Sequence, residues 1–125
     1  MAISWYPGHM HKASKELVKI MRHTDAVIEV LDARIPESSC NPLLANIREE
    51  RPCIRILNKS DLADNKVTQA WAAHFSKLDN SACLINGKGA QINRADIVKT
   101  AKKLIKHIDE TVLIQGQIVI DGIPN

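Results

Sequence analysis

Four short apolar runs rich in β-branched residues recur along the chain, at residues 26–31, 53–57, 82–85 and 117–120. Their apolarity is continuous rather than alternating and they are too short for helices, which predicts strands covered on both faces, as in a parallel sheet with helical crossovers. The segments between them carry helical spacing. After the first run, Asn41 is placed to cap a helix starting at Pro42, where the missing N–H of proline would have no partner anyway. After the second, Asp64 is placed to cap a helix with Val67, Trp71, Phe75 and Leu78 on one face. After the third, Asn93 precedes a helix that turns Val98, Ala101, Leu104 or Ile105, and Ile108 inward and Lys99, Lys102, Lys103 and Lys106 largely outward. An opening helix with Met10, Ala13, Leu17 and Met21 on one stripe precedes the first run. The expected order is a helix, three β/α units and a final strand within one α/β domain, without repeats or low-complexity segments.

Composition narrows the class. With 125 residues, 45% hydrophobic, 25% charged and 3% aromatic, the chain fits a small globular domain with an aliphatic core and excludes disorder, collagen and a disulfide scaffold. No apolar run approaches the roughly 18–20 residues of a membrane span and the N-terminus lacks a signal-peptide core, so a soluble, cytoplasmic protein without membrane contact is expected. Cys40, Cys53 and Cys83 show neither CxxC nor Cys/His ligand spacing and read as reduced packing residues, with no metal site. Charge is uneven, at +3 over residues 1–23, −2 over 24–85, +5 over 86–107 and −3 over 108–125. Basic ends around an acidic middle suit an anionic partner such as phosphate or RNA, although solvated helix faces give the same count. The cations available are His11, Lys12, Lys15, Lys19 and Arg22, with the lysines of residues 99–106.

Open parallel sheets bind ligands at the carboxyl ends of their strands. Here the first run leads into Asp32-Ala33-Arg34, the second into Asn58-Lys59-Ser60-Asp61-Leu62, the third into Asn86-Gly87-Lys88-Gly89 and the last into Asp121-Gly122-Ile123-Pro124-Asn125. An NKxD sequence after a buried strand places a carboxylate where it can accept from both the ring N–H and the exocyclic amine of guanine, a pair adenine does not offer. Asn58 would tie neighbouring loops together, and the stem of Lys59 would lie over the purine face. A plain helix-entry loop capped by Asp61 or Asp64 reads the same way. Gly122-Ile123-Pro124-Asn125 has the look of the start of a phosphate-binding loop. A dinucleotide-type fold would need a glycine-rich turn after the first strand, which Asp32-Ala33-Arg34 lacks.

Taken together, these pieces resemble the circularly permuted ribosome-assembly GTPases of the YlqF/YawG group. The resemblance rests on residues 5–10 (WYPGHM) with Lys12-Ala13, residues 25–36 (DAVIEVLDARIP), Ser38-Ser39 with Asn41-Pro42, residues 58–62, Trp71 and residues 122–125, in the family's order over nearly the whole chain. It implies a partial Ras-like, P-loop GTPase fold of three layers with about four parallel strands, circularly permuted so that base recognition precedes the phosphate loop. It also implies GTP or GDP as ligand, Mg2+ in the complete family protein, and the large ribosomal subunit or its rRNA as partner. By resemblance, Asn58, Lys59, Ser60 and Asp61 form the base site and Asn86 and Gly87 a second base-contacting loop. Gly122, Ile123, Pro124 and Asn125 begin the phosphate loop, and His9 corresponds to a histidine proposed to arrange the attacking water.

Three departures qualify that expectation. Residues 86–89 are shorter than the family's loop and put Gly87 where serine is usual. Residues 109–116 look like a shortened connection. Nothing in the 125 residues corresponds to the phosphate lysine, the magnesium ligands or the switch regions, so guanine-nucleotide binding without hydrolysis is expected of this chain. A non-catalytic RNA- or ribosome-binding module is the alternative. In a Ras-like sheet the order would be residues 117–120, 26–31, 53–57, 82–85, leaving 117–120 as an apolar edge that invites dimerisation.

Overall fold

Side chains on successive strand residues point to opposite faces, and the three central runs use both. A computed structural model describes residues 2–6, 18–19, 21–22, 24–40, 42–104 and 111–115. Its elements are β1 (Ala2–Tyr6), β2 (Thr24–Asp32), α1 (Pro36–Ser39), α2 (Pro42–Ile47), β3 (Cys53–Asn58), α3 (Asn65–Ser76), β4 (Ser81–Ile85), α4 (Arg94–Leu104) and β5 (Thr111–Gln115). The strands form one sheet in the order β1-β5-β2-β3-β4, and every adjacent pair is parallel.

Register sets the two cores. Ile28 pairs with Ile54 and Ile54 with Ala82, while Val30 pairs with Ile56 and Ile56 with Leu84. This face, with Ala26, packs beneath Ile97, Ala101 and Leu104 of α4. Full burial of each large aliphatic side chain there contributes about 1.5–3 kcal/mol. The opposite face brings Leu31, Leu57, Cys83 and Ile85 against Phe75, Trp71 and Ala72 of α3. Helices therefore lie on both sides of a parallel sheet, and the architecture is of the α/β class.

Both long helices have side-chain caps. Asp64 Oδ1 accepts from Val67 N–H at 3.0 Å at the start of α3. Before α4, Asn93 Oδ1 accepts from Asp96 N–H and Asp96 Oδ2 accepts from Asn93 N–H, each at 2.9 Å. This is a capping box with the side-chain types exchanged.

Several expectations need correcting. The sheet has five strands rather than about four. The place beside β2 expected for residues 117–120 is filled by β5, whose Val112-Leu113-Ile114 lies in the segment read as a connection. Two apolar runs stand close together there, at 112–114 and 118–120, and composition alone does not choose between them. On its other side β5 pairs with β1, a strand the pattern did not predict, so among the described residues β1 is the outermost strand on that side. Residues 117–120, with the edge-to-edge dimer expected of them, lie outside the described residues, as do residues 7–17 of the opening helix and Asn41.

On α3, Val67 is exposed, as is Leu78 just beyond its end, while Thr68 and Phe75 are buried and Trp71 is half-buried. The Asp64 backbone carbonyl accepts from Thr68 Oγ1 at 2.8 Å and satisfies that hydroxyl on the inward face. On α4 the innermost residues are Ile97 and Ala101, with Val98 half-buried and Lys99, Lys102 and Lys103 exposed as expected. Residues 105–108 lie outside the described set. The four-residue α1 was not anticipated; its Ser39 Oγ accepts from Asp32 N–H at 3.0 Å and donates to Pro36 O at 3.0 Å, closing the exit from β2.

The central strands also hide an ion pair. Glu29 and Arg55 face each other across β2 and β3, with Arg55 Nε 3.4 Å from Glu29 Oε1 and side-chain exposures of 9% and 7% for Arg55 and Glu29. Arg55 Nη1 also donates to Ser81 Oγ at 3.3 Å, and its guanidinium carbon lies 5.1 Å from the Phe75 ring centroid. These partners offset the desolvation of a charge inside the sheet. All three cysteines are free, and burial pushes their thiols up, to about 11 for Cys40 and Cys53 and about 12 for Cys83. They remain protonated at neutral pH, as packing residues do.

Candidate functional site

Three parallel strands end side by side, and their exits are bonded to one another. Ala33 N–H donates to Asn58 O at 2.8 Å, Asn86 N–H to Leu57 O at 2.9 Å and Ser60 N–H to Asn86 O at 3.1 Å. The polar residues following β2, β3 and β4 thus form one connected edge, although they are far apart in sequence.

The chain leaves β3 through a sharp reversal. Lys59 adopts the left-handed region, with φ 61° and ψ 35°, and residues Ser60–Leu62 make a single 3₁₀ turn before α3. A non-glycine residue held there is strained, which here turns Asp61 toward the loop after β4. Asp61 Oδ1 accepts from Lys88 N–H at 3.0 Å. A carboxylate has more acceptor positions than that bond uses, and Asp61 is exposed, so the group is oriented by the protein yet open to a ligand.

Asn58 and Asn86 supply the joint beneath. Asn86, 5% exposed, donates from Nδ2 to Asn58 Oδ1 at 2.9 Å, and its Oδ1 accepts from Ile92 N–H at 2.9 Å. A buried amide with both ends engaged fixes the relative placement of two loops. The loop then turns tightly, Ala90 N–H donating to Gly87 O at 3.0 Å, with Gly89 at φ 85°. Gly87 is buried, and a Cβ there would approach Asp61 N to 2.8 Å and Asp61 Oδ1 to 2.9 Å and collide with Ser60 Oγ. The glycine at the position where serine was expected is what lets the two loops close, and the backbone N–H of Lys88 holds Asp61.

Asp32 and Arg34, at the end of β2, complete the edge. Asp32 Oδ1 accepts from Arg34 N–H and from Arg34 Nε, both at 2.9 Å, and Oδ2 accepts from Arg34 Nη2 at 2.7 Å. The Arg34 guanidinium holds the Asp32 carboxyl down at about 2, below its ordinary value of 3.8. Since the folded value is the lower one, stabilisation from this group is fully present above about pH 4 and is lost as pH falls toward 2. This fork was not legible from composition; the only signal was an acid and an arginine two residues apart at a strand end.

Of the residues singled out from sequence, Asn58, Lys59, Ser60, Asp61, Asn86 and Gly87 are brought together here. His9 and Gly122, Ile123, Pro124 and Asn125 lie outside the described residues. Among the described residues no group of three or more His, Cys, Asp or Glu side chains stands together as a metal would require, and no helix is long and apolar enough to cross a membrane.

A parallel α/β sheet with an asparagine-lysine-x-aspartate turn docked on a second loop at its carboxyl edge is consistent with a partial fold of the P-loop GTPase class. Comparison with known proteins points the same way. The chain is 39% identical to Ribosome biogenesis GTPase A of Bacillus pumilus, an alignment covering 100% of this chain and 46% of that protein. It is 35% identical to Mitochondrial ribosome-associated GTPase 1 of Mus musculus, over 97% of this chain and 38% of that one. With Ribosome biogenesis GTPase A of Thermotoga maritima the identity is 32%, over 98% and 42% respectively. The chain is similar over nearly its whole length to ribosome biogenesis GTPases, consistent with a protein of YlqF type, and it spans rather less than half the length of these relatives. No family model matches it.

Proposed function

We propose that this chain carries the guanine-recognition half of a GTPase acting in assembly of the large ribosomal subunit. The observation that supports this reading most is the exposed Asp61 carboxylate, oriented by Lys88 N–H at 3.0 Å and seated on the Asn58–Asn86 joint, in a chain related along its whole length to ribosome biogenesis GTPases. Asp61 accepts from the guanine ring N–H and exocyclic amine. Lys59 lays its stem along the purine face. Asn58, Ser60, Asn86 and Gly87 hold the two loops at the spacing the base requires. Gly122, Ile123, Pro124 and Asn125 open the phosphate loop, and His9 arranges the attacking water in the complete catalytic unit. Mg2+ is assigned to the complete GTPase, and no step is routed through it here.

Calorimetric titration with GDP, GTP and ATP, each with magnesium, tests the reading on the wild-type chain and on Asp61→Asn. Guanine-selective binding is expected, and it should weaken about 10- to 100-fold in the variant, because asparagine keeps one acceptor oxygen but loses the charge and the second acceptor. The variant should instead favour xanthosine diphosphate, whose C2 carbonyl accepts from the new amide. Equal binding of ATP and GTP by the wild type would refute the assignment.

A second reading is favoured by Lys99, Lys102 and Lys103, exposed together on α4 in a segment carrying +5. In it, the chain is a non-catalytic module that contacts rRNA. Steeply salt-dependent RNA binding unaffected by Asp61→Asn would support it.

A further inference from the structure

We propose that Asp32 and Arg34 are positioning residues for Lys59, holding its ammonium so that the side-chain stem is laid out for the purine before a nucleotide arrives. The inference rests on the base-site reading above and adds residues from a third strand to that site. Asp32 pairs in register with Asn58, the residue preceding Lys59. Its Oδ2 lies 2.7 Å from Arg34 Nη2 and 4.0 Å from Lys59 Nζ, so one oxygen serves two cations. The Asp32 side chain is 20% exposed, against 47% for Arg34 and 53% for Lys59. The anion therefore sits below, with the cations above it toward solvent.

The two carboxylate oxygens have separate duties. Oδ1 accepts from Arg34 N–H at 2.9 Å and closes a local turn, a job that any Asp or Asn does at such a position. The Arg34 fork then fixes the plane of the carboxylate, because Nε and Nη2 each take one oxygen. With rotation blocked, Oδ2 stays on the Lys59 side. Lys59 itself leaves a strained left-handed backbone and is otherwise a long exposed side chain whose ordering would have to be met at the moment of binding. Holding it beforehand reduces that cost. The net charge of the three groups is +1, which suits an anionic ligand at the same edge.

Asp32→Asn separates the duties, since asparagine keeps an oxygen to accept from Arg34 N–H but removes the charge that attracts Lys59. Arg34→Lys keeps the charge and loses the fork. Side-chain NMR on the ligand-free chain should show the Lys59 methylenes more ordered than those of Lys66 and Lys77, and Asp32→Asn should bring all three to the same level while the chain stays folded at the temperature of the measurement. In calorimetry both variants should bind GDP roughly two- to fivefold more weakly, the range of an exposed ion pair. Inosine diphosphate, which keeps the purine face but lacks the exocyclic amine, should lose the same factor. A Lys59 already as mobile as Lys66 in the wild type overturns the proposal, as does an Asp32→Asn variant that binds both nucleotides like the wild type. A wild type that orders Lys59 but binds GDP no better than ADP overturns the base-site reading, and the positioning role with it.

Discussion

The Glu29–Arg55 pair shows how much one residue in a strand can depend on its neighbour. Either charge alone inside the sheet would be untenable, whereas together with Ser81 and the Phe75 ring they are matched. Glu29→Gln leaves the Arg55 guanidinium buried without a counter-charge and should destabilise the fold by about 3–5 kcal/mol in urea denaturation, while replacing both residues by apolar ones of similar volume should cost far less. Gly87 acts at the same scale through what it lacks. Its missing Cβ lets the loop after β4 close on Ser60 and Asp61, and the same approach brings Lys88 N–H to the Asp61 carboxylate.

At the scale of elements, caps and carbonyls decide how each helix lies on the sheet. Asp64 binds Val67 N–H with its side chain and Thr68 Oγ1 with its carbonyl, and so starts α3 and satisfies the hydroxyl it buries. Asp64→Ala should lower stability by about 0.5–2 kcal/mol, measured by thermal melting, through loss of the cap. Since α3 begins four residues after Asp61, the same cap also steadies the turn that carries the Asp61 carboxylate. On α4, the Asn93–Asp96 exchange starts the helix directly after the loop that Asn86 anchors, which gives the second loop a rigid far end.

For the whole molecule, stability and site share one scaffold. The face under α4 fixes the lateral register of β2, β3 and β4, and that register puts Asp32 beside Asn58. Ile56, fully buried at the centre of this core, should cost about 2–5 kcal/mol when replaced by alanine, read as a shift in the denaturant midpoint. Arrangement on a parallel sheet also means that every functional loop emerges at one edge. The acidic Asp61, the cationic Arg34–Lys59 pair and the buried asparagine joint meet there because all three strands run the same way.

The three central strands, both helix caps and the site turn 58–61 were legible because each depends on short-range pattern, continuous apolarity in the strands and side-chain oxygens a few residues from free helix N–H groups. The motif order likewise pointed to a permuted GTPase family before any coordinates. Other features depend on distance across the chain. That the run at 112–114 lies beside β2, and that residues 2–6 add a further strand, are facts of long-range pairing. That Glu29 tolerates burial, that Gly87 needs to be glycine and that Asp32 reaches Lys59 are facts of strand register, joining residues 26 or more positions apart. Local pattern names the elements and the chemistry of the loops; only packing determines which of those loops touch.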